Sequence, residues 1–210
     1  MTITLKQNLV AKSKYEIKCP YTMKPEFIVV HNTANDASAE NEIKYMISNN
    51  NQVSFHIAVD DKEAIQGLPL DRNAWACGDG ANGSGNRKGI QIEICYSKSG
   101  GSRFVKAEQN AAKLIAQMLH ERGWDISKVK KHQDFSGKYC PHRTLSIGWA
   151  SFVNMVKDEL NLLKKPATTP ETTYYRVCVA SYSKKELAEK IVQELKSKGY
   201  KDAFIATYKK

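Results

Sequence analysis

Apolar residues along the first part of the chain follow two patterns, short continuous runs and helix-spaced positions. The run "FIVV" at Phe27–Val30, with His31 directly after it, is typical of a buried strand. The next apolar positions, Ile43, Met46 and Ile47, recur at helical spacing. Ser38 precedes them and is suited to be the N-cap of this helix. The pattern therefore predicts a strand followed by an amphipathic helix.

Two further segments also have the pattern of strands. "VSFHIAVD" begins at Val53, and "GIQIEIC" at Gly89–Cys95 alternates isoleucine with other residues. This alternation places the isoleucines on one face and Gln91, Glu93 and Cys95 on the other. Glu93 is therefore expected opposite the apolar side, where it is available to a cleft.

Helices are predicted over Lys106–Arg122, with Gly123 as the stop, and over Ile147–Leu163. Between the strands, the glycine-rich segment Gly78–Gly89 lacks the spacing and the terminal Lys-Ser/Thr of a phosphate-binding loop. Strands that alternate with helices in this way indicate an α/β fold, a sheet flanked by helices.

The segment "KKPATTPETT" at 164–173 has no apolar anchor and is predicted to be a linker. It separates a domain at 1–163 from a small module at 174–210. The module has the pattern strand, helix, strand, with Ser183 and Glu186 as a capping box and "DAFIAT" as the second strand. One such βαβ-like unit is half a domain, so self-association or docking is a hypothesis for how it is completed.

Composition changes this picture in only a few respects. The net charge of +10 favours a polyanionic partner. This partner could be nucleic acid, an anionic membrane or a wall polymer such as teichoic acid, and a basic surface that only confers solubility is the remaining interpretation. No apolar run is long enough to span a membrane, and the first residues do not resemble a secretory signal. Synthesis in the cytoplasm is therefore expected.

Three residues have the types and positions of a catalytic zinc site. The five cysteines form no C-x-x-C pair and are expected to be reduced, so one of them is free to be a ligand. His31 ends a strand, and His132 and Cys140 lie eight residues apart in "HQDFSGKYCPHR". Taken singly, a hydrogen-bonded core histidine and an inert buried thiol are the alternative interpretations.

Five motifs occur in an order that resembles a known family, the zinc-dependent N-acetylmuramoyl-L-alanine amidases of type 2, which also contains the peptidoglycan recognition proteins. The motifs are "VVHNTA", "SFHIAVDD", "NAWACGDG", "GNRKGIQIEIC" and "HQDFSGKYCPHR", and the resemblance spans Tyr21–Leu160. It is greatest to phage and prophage endolysins of Bacillus and Listeria type. The resemblance implies the type 2 amidase fold, with a central mixed sheet flanked by helices.

The resemblance also implies roles for individual residues. His31, His132 and Cys140 match the zinc ligands, Glu93 matches the catalytic glutamate, and Lys138 matches a residue linked to transition-state stabilisation. The implied reaction is cleavage of the amide bond between N-acetylmuramic acid and L-alanine, with Glu93 moving the proton of a zinc-activated water.

Other positions in the matching segments suggest lesser roles. Asn73, Trp75 and Asn86 flank the groove in this family and are candidates for substrate contact. Phe55 stands where some members carry a tyrosine that assists catalysis, so the base role falls to Glu93 alone. His56 is interpreted either as a residue that supports a ligand without binding the metal or as a structural residue, since the ligand set is complete without it.

Three functions remain to be compared. The leading hypothesis is a bacteriolytic endolysin or autolysin that acts on the wall after holin-type release, with a tail that binds peptidoglycan and anionic secondary wall polymers. The alternative is a peptidoglycan recognition protein that binds without cutting, although such relatives typically lose the thiolate that Cys140 supplies here. Nucleic-acid binding rests on charge alone and is disfavoured, and membrane insertion is not expected.

Overall fold

The structure, a computed structural model, describes residues 2–164 and 177–207. The chain divides into two compact units, Met1–Pro166 and Ala167–Lys210. Within the described ranges, no helix combines the length and apolar character needed to cross a bilayer.

The first unit contains six strands, seven α-helices and two 3-10 turns in its described part. The strands are β1 Leu5–Gln7, β2 Phe27–Asn32, β3 Ile57–Val59, β4 Ala64–Gln66, β5 Gly89–Ile94 and β6 Val129–Lys131. The helices are α1 Tyr15–Lys18, α2 Ala39–Ser48, α3 Ser84–Lys88, α4 Gly101–Glu121, α5 Gln133–Ser136, α6 His142–Ile147 and α7 Trp149–Lys164. The 3-10 turns are Lys12–Lys14 and Ile126–Lys128.

All six strands form one mixed sheet in the order β1-β4-β3-β5-β2-β6. β3 and β4 are antiparallel, and the other neighbouring pairs are parallel. β2 and β5 are neighbouring interior strands and are almost wholly buried, as expected for apolar strands covered on both faces. In their register His31 lies beside Glu93.

The predicted α/β fold with helices flanking a central mixed sheet is confirmed. α2 begins behind Ser38, whose side chain accepts a hydrogen bond from the Asn41 backbone N–H. α4 starts at Gly101, earlier than predicted, and is followed by Gly123 in the left-handed region at φ +64°. α4 packs against α7, and their apolar residues join the isoleucines of β5 in one core.

The short elements were less predictable from the sequence. β1 and β4 were not predicted, because three residues are too few to establish an alternating pattern. The segment starting at Val53 contributes only Ile57–Val59 to the sheet, and the glycine-rich segment contains α3.

The second unit contains one described helix, α8 Lys185–Ser197. The capping-box prediction is wrong, since Lys184 is the N-cap and no side chain caps the helix. Residues 177–182 and 203–207, which were predicted to lie in strands, carry no strand assignment. Most of the predicted linker, from residue 165, lies outside the described residues.

Candidate metal centre

Two parallel strands and the loop that follows one of them bring His31, His132 and Cys140 together. β2 and β6 are neighbours, so their carboxyl ends meet at one edge of the sheet, with His31 in β2 and His132 directly after β6. The chain then reverses after α5 at Gly137, whose φ of +76° is accessible to glycine with little strain. The Gln133 backbone N–H donates to the Cys140 carbonyl at 3.0 Å, which returns Cys140 to the histidines.

The donor atoms of these three side chains are mutually close. Nδ1 of His31 lies 3.1 Å from Nδ1 of His132 and 3.9 Å from Sγ of Cys140, and all three donors lie within 4.8 Å of one another. A tetrahedral zinc ion with ordinary bond lengths separates two nitrogens by about 3.3 Å and a nitrogen from a sulfur by about 3.6 Å. The donor set therefore fits such an ion in type and in spacing.

The electrostatics of the two histidines also suit metal binding. Burial, followed by the neighbouring His132, lowers the pKa of His31 to about 3. The pKa of His132 is lowered by burial and by the positive charge of Lys138. Both rings are therefore neutral at pH 7, which is the protonation state that a ligand requires.

The thiol of Cys140 is held in its protonated form by its surroundings. Burial and the nearby Glu93 raise its pKa to about 11. A coordinated cation would reverse this, because a coordinating thiol is deprotonated outright. One thiol and two neutral imidazoles within 4.8 Å of one another form a donor set of the type that binds zinc.

Glu93 lies beside this cluster with part of its carboxyl group unused. Its Oε2 atom is buried without a hydrogen-bond partner among the described residues. Burial, followed by the negative charge of Glu42, raises the pKa of Glu93 to about 8, although the positive charge of Lys138 lowers it. A buried carboxyl group with a pKa near neutrality is typical of a general base or acid.

Lys138, on the same loop as Cys140, is exposed. Its positive charge lowers the pKa values of His31, His132 and Glu93, which places it within electrostatic range of the whole cluster. The structure thus brings all five residues of the predicted metal and catalytic set into one region.

A groove of about 380 Å³ adjoins the cluster. Its lining residues are Gln52, Val53, Trp75, Gly78, Gly80, Ala81 and Asn86. A Cβ atom at Gly78 would lie 3.9 Å from Nε2 of His132, so this side of the groove is close to one of the candidate ligands. The groove is therefore a candidate site for substrate contact.

The three candidates for substrate contact have different surroundings. Asn86 is buried, and its Oδ1 accepts hydrogen bonds from the backbone N–H groups of Ala76 and Cys77 at 3.0 and 2.9 Å. Asn73 is buried and accepts from the Tyr21 backbone at 2.8 Å. Asn86 and Trp75 line the groove, whereas Asn73 is not among its lining residues. Trp75 is half-buried and packs edge-on against the Tyr21 ring. Substrate contact by any of the three stays a prediction.

His56 is fully buried, is not part of the three-residue donor group, and has its own partners. Its Nε2 donates to the Arg72 carbonyl, and its Nδ1 accepts from the Gln91 backbone N–H, both at 2.9 Å. This arrangement agrees with a structural role. Phe55, the position without a hydroxyl, is buried next to it.

Two residues in contact with the histidines were not predicted from the sequence. The side chain of Gln91 lies 2.8 Å from Nε2 of His31, and the hydroxyl of Ser136 lies 3.0 Å from Nε2 of His132. Gln91 shares the polar face of β5 with Glu93, and this was the available signal. Ser136 carried no such pattern, because its position depends on the α5 turn.

Comparison with known proteins adds two family matches. Residues 21–143 match the N-acetylmuramoyl-L-alanine amidase family, and residues 155–209 match the SPOR domain. Similar proteins include two N-acetylmuramoyl-L-alanine amidases of Bacillus subtilis (strain 168). XlyB is 57% identical over 84% of this chain, and CwlA is 60% identical over 78%. The chain spans 57% and 60% of the lengths of these two relatives.

Solved structures give the same result. The structure of PlyL is 59% identical, with a TM-score of 0.71 over 73% of this chain and 97% of that one. The catalytic domain of XlyA is 38% identical, with a TM-score of 0.67 over 73% of this chain and 99% of that one. Both similarities cover almost all of the solved chain and about three quarters of this one.

Proposed function

The chain belongs to the N-acetylmuramoyl-L-alanine amidase family, and from this premise we propose that it is a zinc-dependent peptidoglycan hydrolase. Its substrate bond is the amide between N-acetylmuramic acid and the L-alanine of the stem peptide, and its biological role is that of a bacteriolytic endolysin or autolysin. The observation that carries this proposal is the His31, His132 and Cys140 donor set, with the unpartnered Glu93 carboxyl beside it.

His31, His132 and Cys140 hold the zinc ion in this proposal. When bound, zinc supplies a Lewis acid that polarises the amide carbonyl and lowers the pKa of water. The burial of all three side chains supports this role, since a dry site strengthens every electrostatic interaction within it.

Glu93 acts as the general base. It accepts a proton from the attacking water and returns it to the departing alanine nitrogen. The free Oε2 atom is available to hold that water, and a pKa raised towards neutrality lets the carboxyl group both accept and release a proton at pH 7. Phe55 has no hydroxyl group and therefore cannot assist Glu93 in proton transfer.

Lys138 stabilises the oxyanion of the tetrahedral intermediate. It is an exposed cation within electrostatic range of His31 and Glu93. A positioned donor of this kind contributes about 3 kcal/mol to the transition state.

The proposed activity is tested by the release of free N-terminal alanine from isolated Gram-positive walls. We expect the wild type to release alanine, chelator to abolish release, and Glu93→Gln to lose 10²-fold or more of its activity while keeping its zinc. Glu16→Gln, which removes an exposed carboxylate elsewhere, serves as the matched control. Full activity in Glu93→Gln would contradict the mechanism.

A recognition protein that binds peptidoglycan without cutting it is the second candidate. The intact ligand set and the general base argue against it, because a protein that only binds needs neither. Wall binding without alanine release, together with a zinc content near zero, would favour this candidate.

The second unit is proposed to bind the wall. The SPOR match supports peptidoglycan as its ligand, and ten basic against five acidic residues over 165–210 support attraction to anionic secondary wall polymers. The proposed organisation keeps the domain at 1–163, the linker at 164–173 and the module at 174–210, with synthesis in the cytoplasm and holin-type release. Sedimentation of the protein with walls before and after removal of teichoic acid, at increasing salt, separates the two ligands.

A further inference from the structure

The side chain of Gln91 is fully buried between His31 and the glycine-rich segment. Its Oε1 atom lies 2.8 Å from Nε2 of His31 and 3.1 Å from Sγ of Cys77. Its Nε2 atom donates to the carbonyls of Gly85 at 2.6 Å and Gly89 at 3.0 Å. The amide therefore uses both donors and both acceptor positions inside the protein.

These contacts determine which way round the amide lies. Backbone carbonyls only accept hydrogen bonds, so the end of the side chain that faces Gly85 and Gly89 is the NH₂ group. A rotated amide would set its oxygen against two carbonyl oxygens. Gly89 also allows the close approach, because a Cβ at this position would lie 2.8 Å from the Gln91 nitrogen.

The orientation of the amide determines the tautomer of His31. Oε1 of Gln91 only accepts, so Nε2 of His31 carries the ring proton and donates it. A neutral imidazole has one proton, which leaves the lone pair of Nδ1 free. Nδ1 is the atom that faces His132 and Cys140.

We propose that Gln91 is a positioning residue for the metal centre, fixing His31 in the tautomer and ring orientation that present Nδ1 to the ion. This inference rests on the metal site of the proposed function. Hydrogen bonds of this kind from a ligand histidine to a neighbouring acceptor typically change metal affinity 10- to 100-fold when they are removed.

Gln91 could instead be a core amide that holds β5 to the glycine-rich segment and has no effect on the metal. Both roles predict a loss of stability on substitution. Only the positioning role predicts a loss of zinc affinity and a defined tautomer of His31, and these two readouts are independent of hydrolysis.

The test compares Gln91→Met with Gln66→Met in the full chain. Methionine has a similar length to glutamine but lacks its acceptor. Gln66 is a matched control, because it is also buried on the sheet and donates to a backbone carbonyl, that of Leu68 at 2.8 Å. Zinc affinity is measured by competition with a chromophoric chelator, and thermal unfolding is followed in excess chelator.

We expect Gln91→Met to bind zinc 10- to 100-fold more weakly than the wild type, and Gln66→Met to bind it as tightly as the wild type. Equal zinc affinity in Gln91→Met and the wild type, with only a lowered unfolding temperature, overturns the inference. A wild type that binds no zinc at all instead overturns the proposed function.

A second measurement needs no variant. Long-range ¹⁵N spectra of the histidine rings in the zinc-loaded wild type report which nitrogen carries the proton and which binds the metal. We expect His31 to be protonated at Nε2 and ligated through Nδ1. Ligation of His31 through Nε2 overturns the inference, whatever the result for Gln91→Met.

Discussion

His56 provides a quantitative test of the structural role assigned to it. The side chain is fully buried, and burial lowers its pKa to about 4 against 6.5 in the unfolded chain, although the hydrogen bond to the Arg72 carbonyl opposes the shift. The neutral ring makes two hydrogen bonds, one to that carbonyl and one from the Gln91 backbone. Protonation would remove the acceptor and leave a buried charge.

The sign and size of the effect follow from proton linkage. Because the pKa is lower in the folded protein, His56 contributes stability that is present above pH 6.5 and is lost as the pH falls towards 4. The difference between the folded and unfolded pKa values of His56 corresponds to about 3 kcal/mol of the free energy of unfolding. Between pH 7 and pH 5, roughly 2 kcal/mol of it is lost.

The perturbation is His56→Gln, which does not titrate and keeps a group able to donate to the Arg72 carbonyl. Urea unfolding in excess chelator at pH 7 and pH 5 gives the loss of stability for each protein. We expect the wild type to lose about 2 kcal/mol more than the variant over this range. Zinc content is measured in parallel at pH 7 and should be the same in both.

Two results would refute this reasoning. Equal pH dependence in the two proteins would mean that the buried ring does not resist protonation. Loss of zinc in a folded His56→Gln protein would mean that His56 takes part in the metal centre and is not merely structural. The double difference cancels the titration of His31 and His132, which both proteins retain.

Three further predictions concern the site. Cys140→Ser should weaken zinc binding and reduce alanine release while the fold, followed by circular dichroism, is retained, because a neutral hydroxyl replaces the thiolate ligand. Lys138→Met should lower kcat about 10²- to 10³-fold with its zinc retained, whereas the exposed Lys62→Met should match the wild type in the same assay. Asn86→Ala should lower the free energy of unfolding by about 1–3 kcal/mol, measured with urea, because the buried backbone N–H of Cys77 and the partly buried N–H of Ala76 lose their acceptor.

Much of the central architecture could be predicted from local pattern. The alternation in β5 follows the two-residue period of a strand, and the continuous apolar run in β2 is typical of a strand covered on both faces. The Ser38 cap depends only on the first turn of a helix. Motif resemblance then placed His31, His132, Cys140, Glu93 and Lys138 in one set. The structure brings these residues together, and their roles remain proposals for experiment.

The sequence by itself determined the strands and helices whose apolar periodicity extends over several residues, and the residue types of the proposed site. Only the tertiary structure decided how that site is supported. Gln91 contacts His31 because β2 and β5 pair in one register. The side-chain oxygen of Asn86 accepts hydrogen bonds from two backbone N–H groups, and the local sequence pattern does not reveal these partners. The three-residue strands β1 and β4 likewise form because they pair with each other and, in the case of β4, with β3. The physical reason is that periodicity is a property of consecutive residues, whereas hydrogen-bond partners and strand register join residues far apart in the chain.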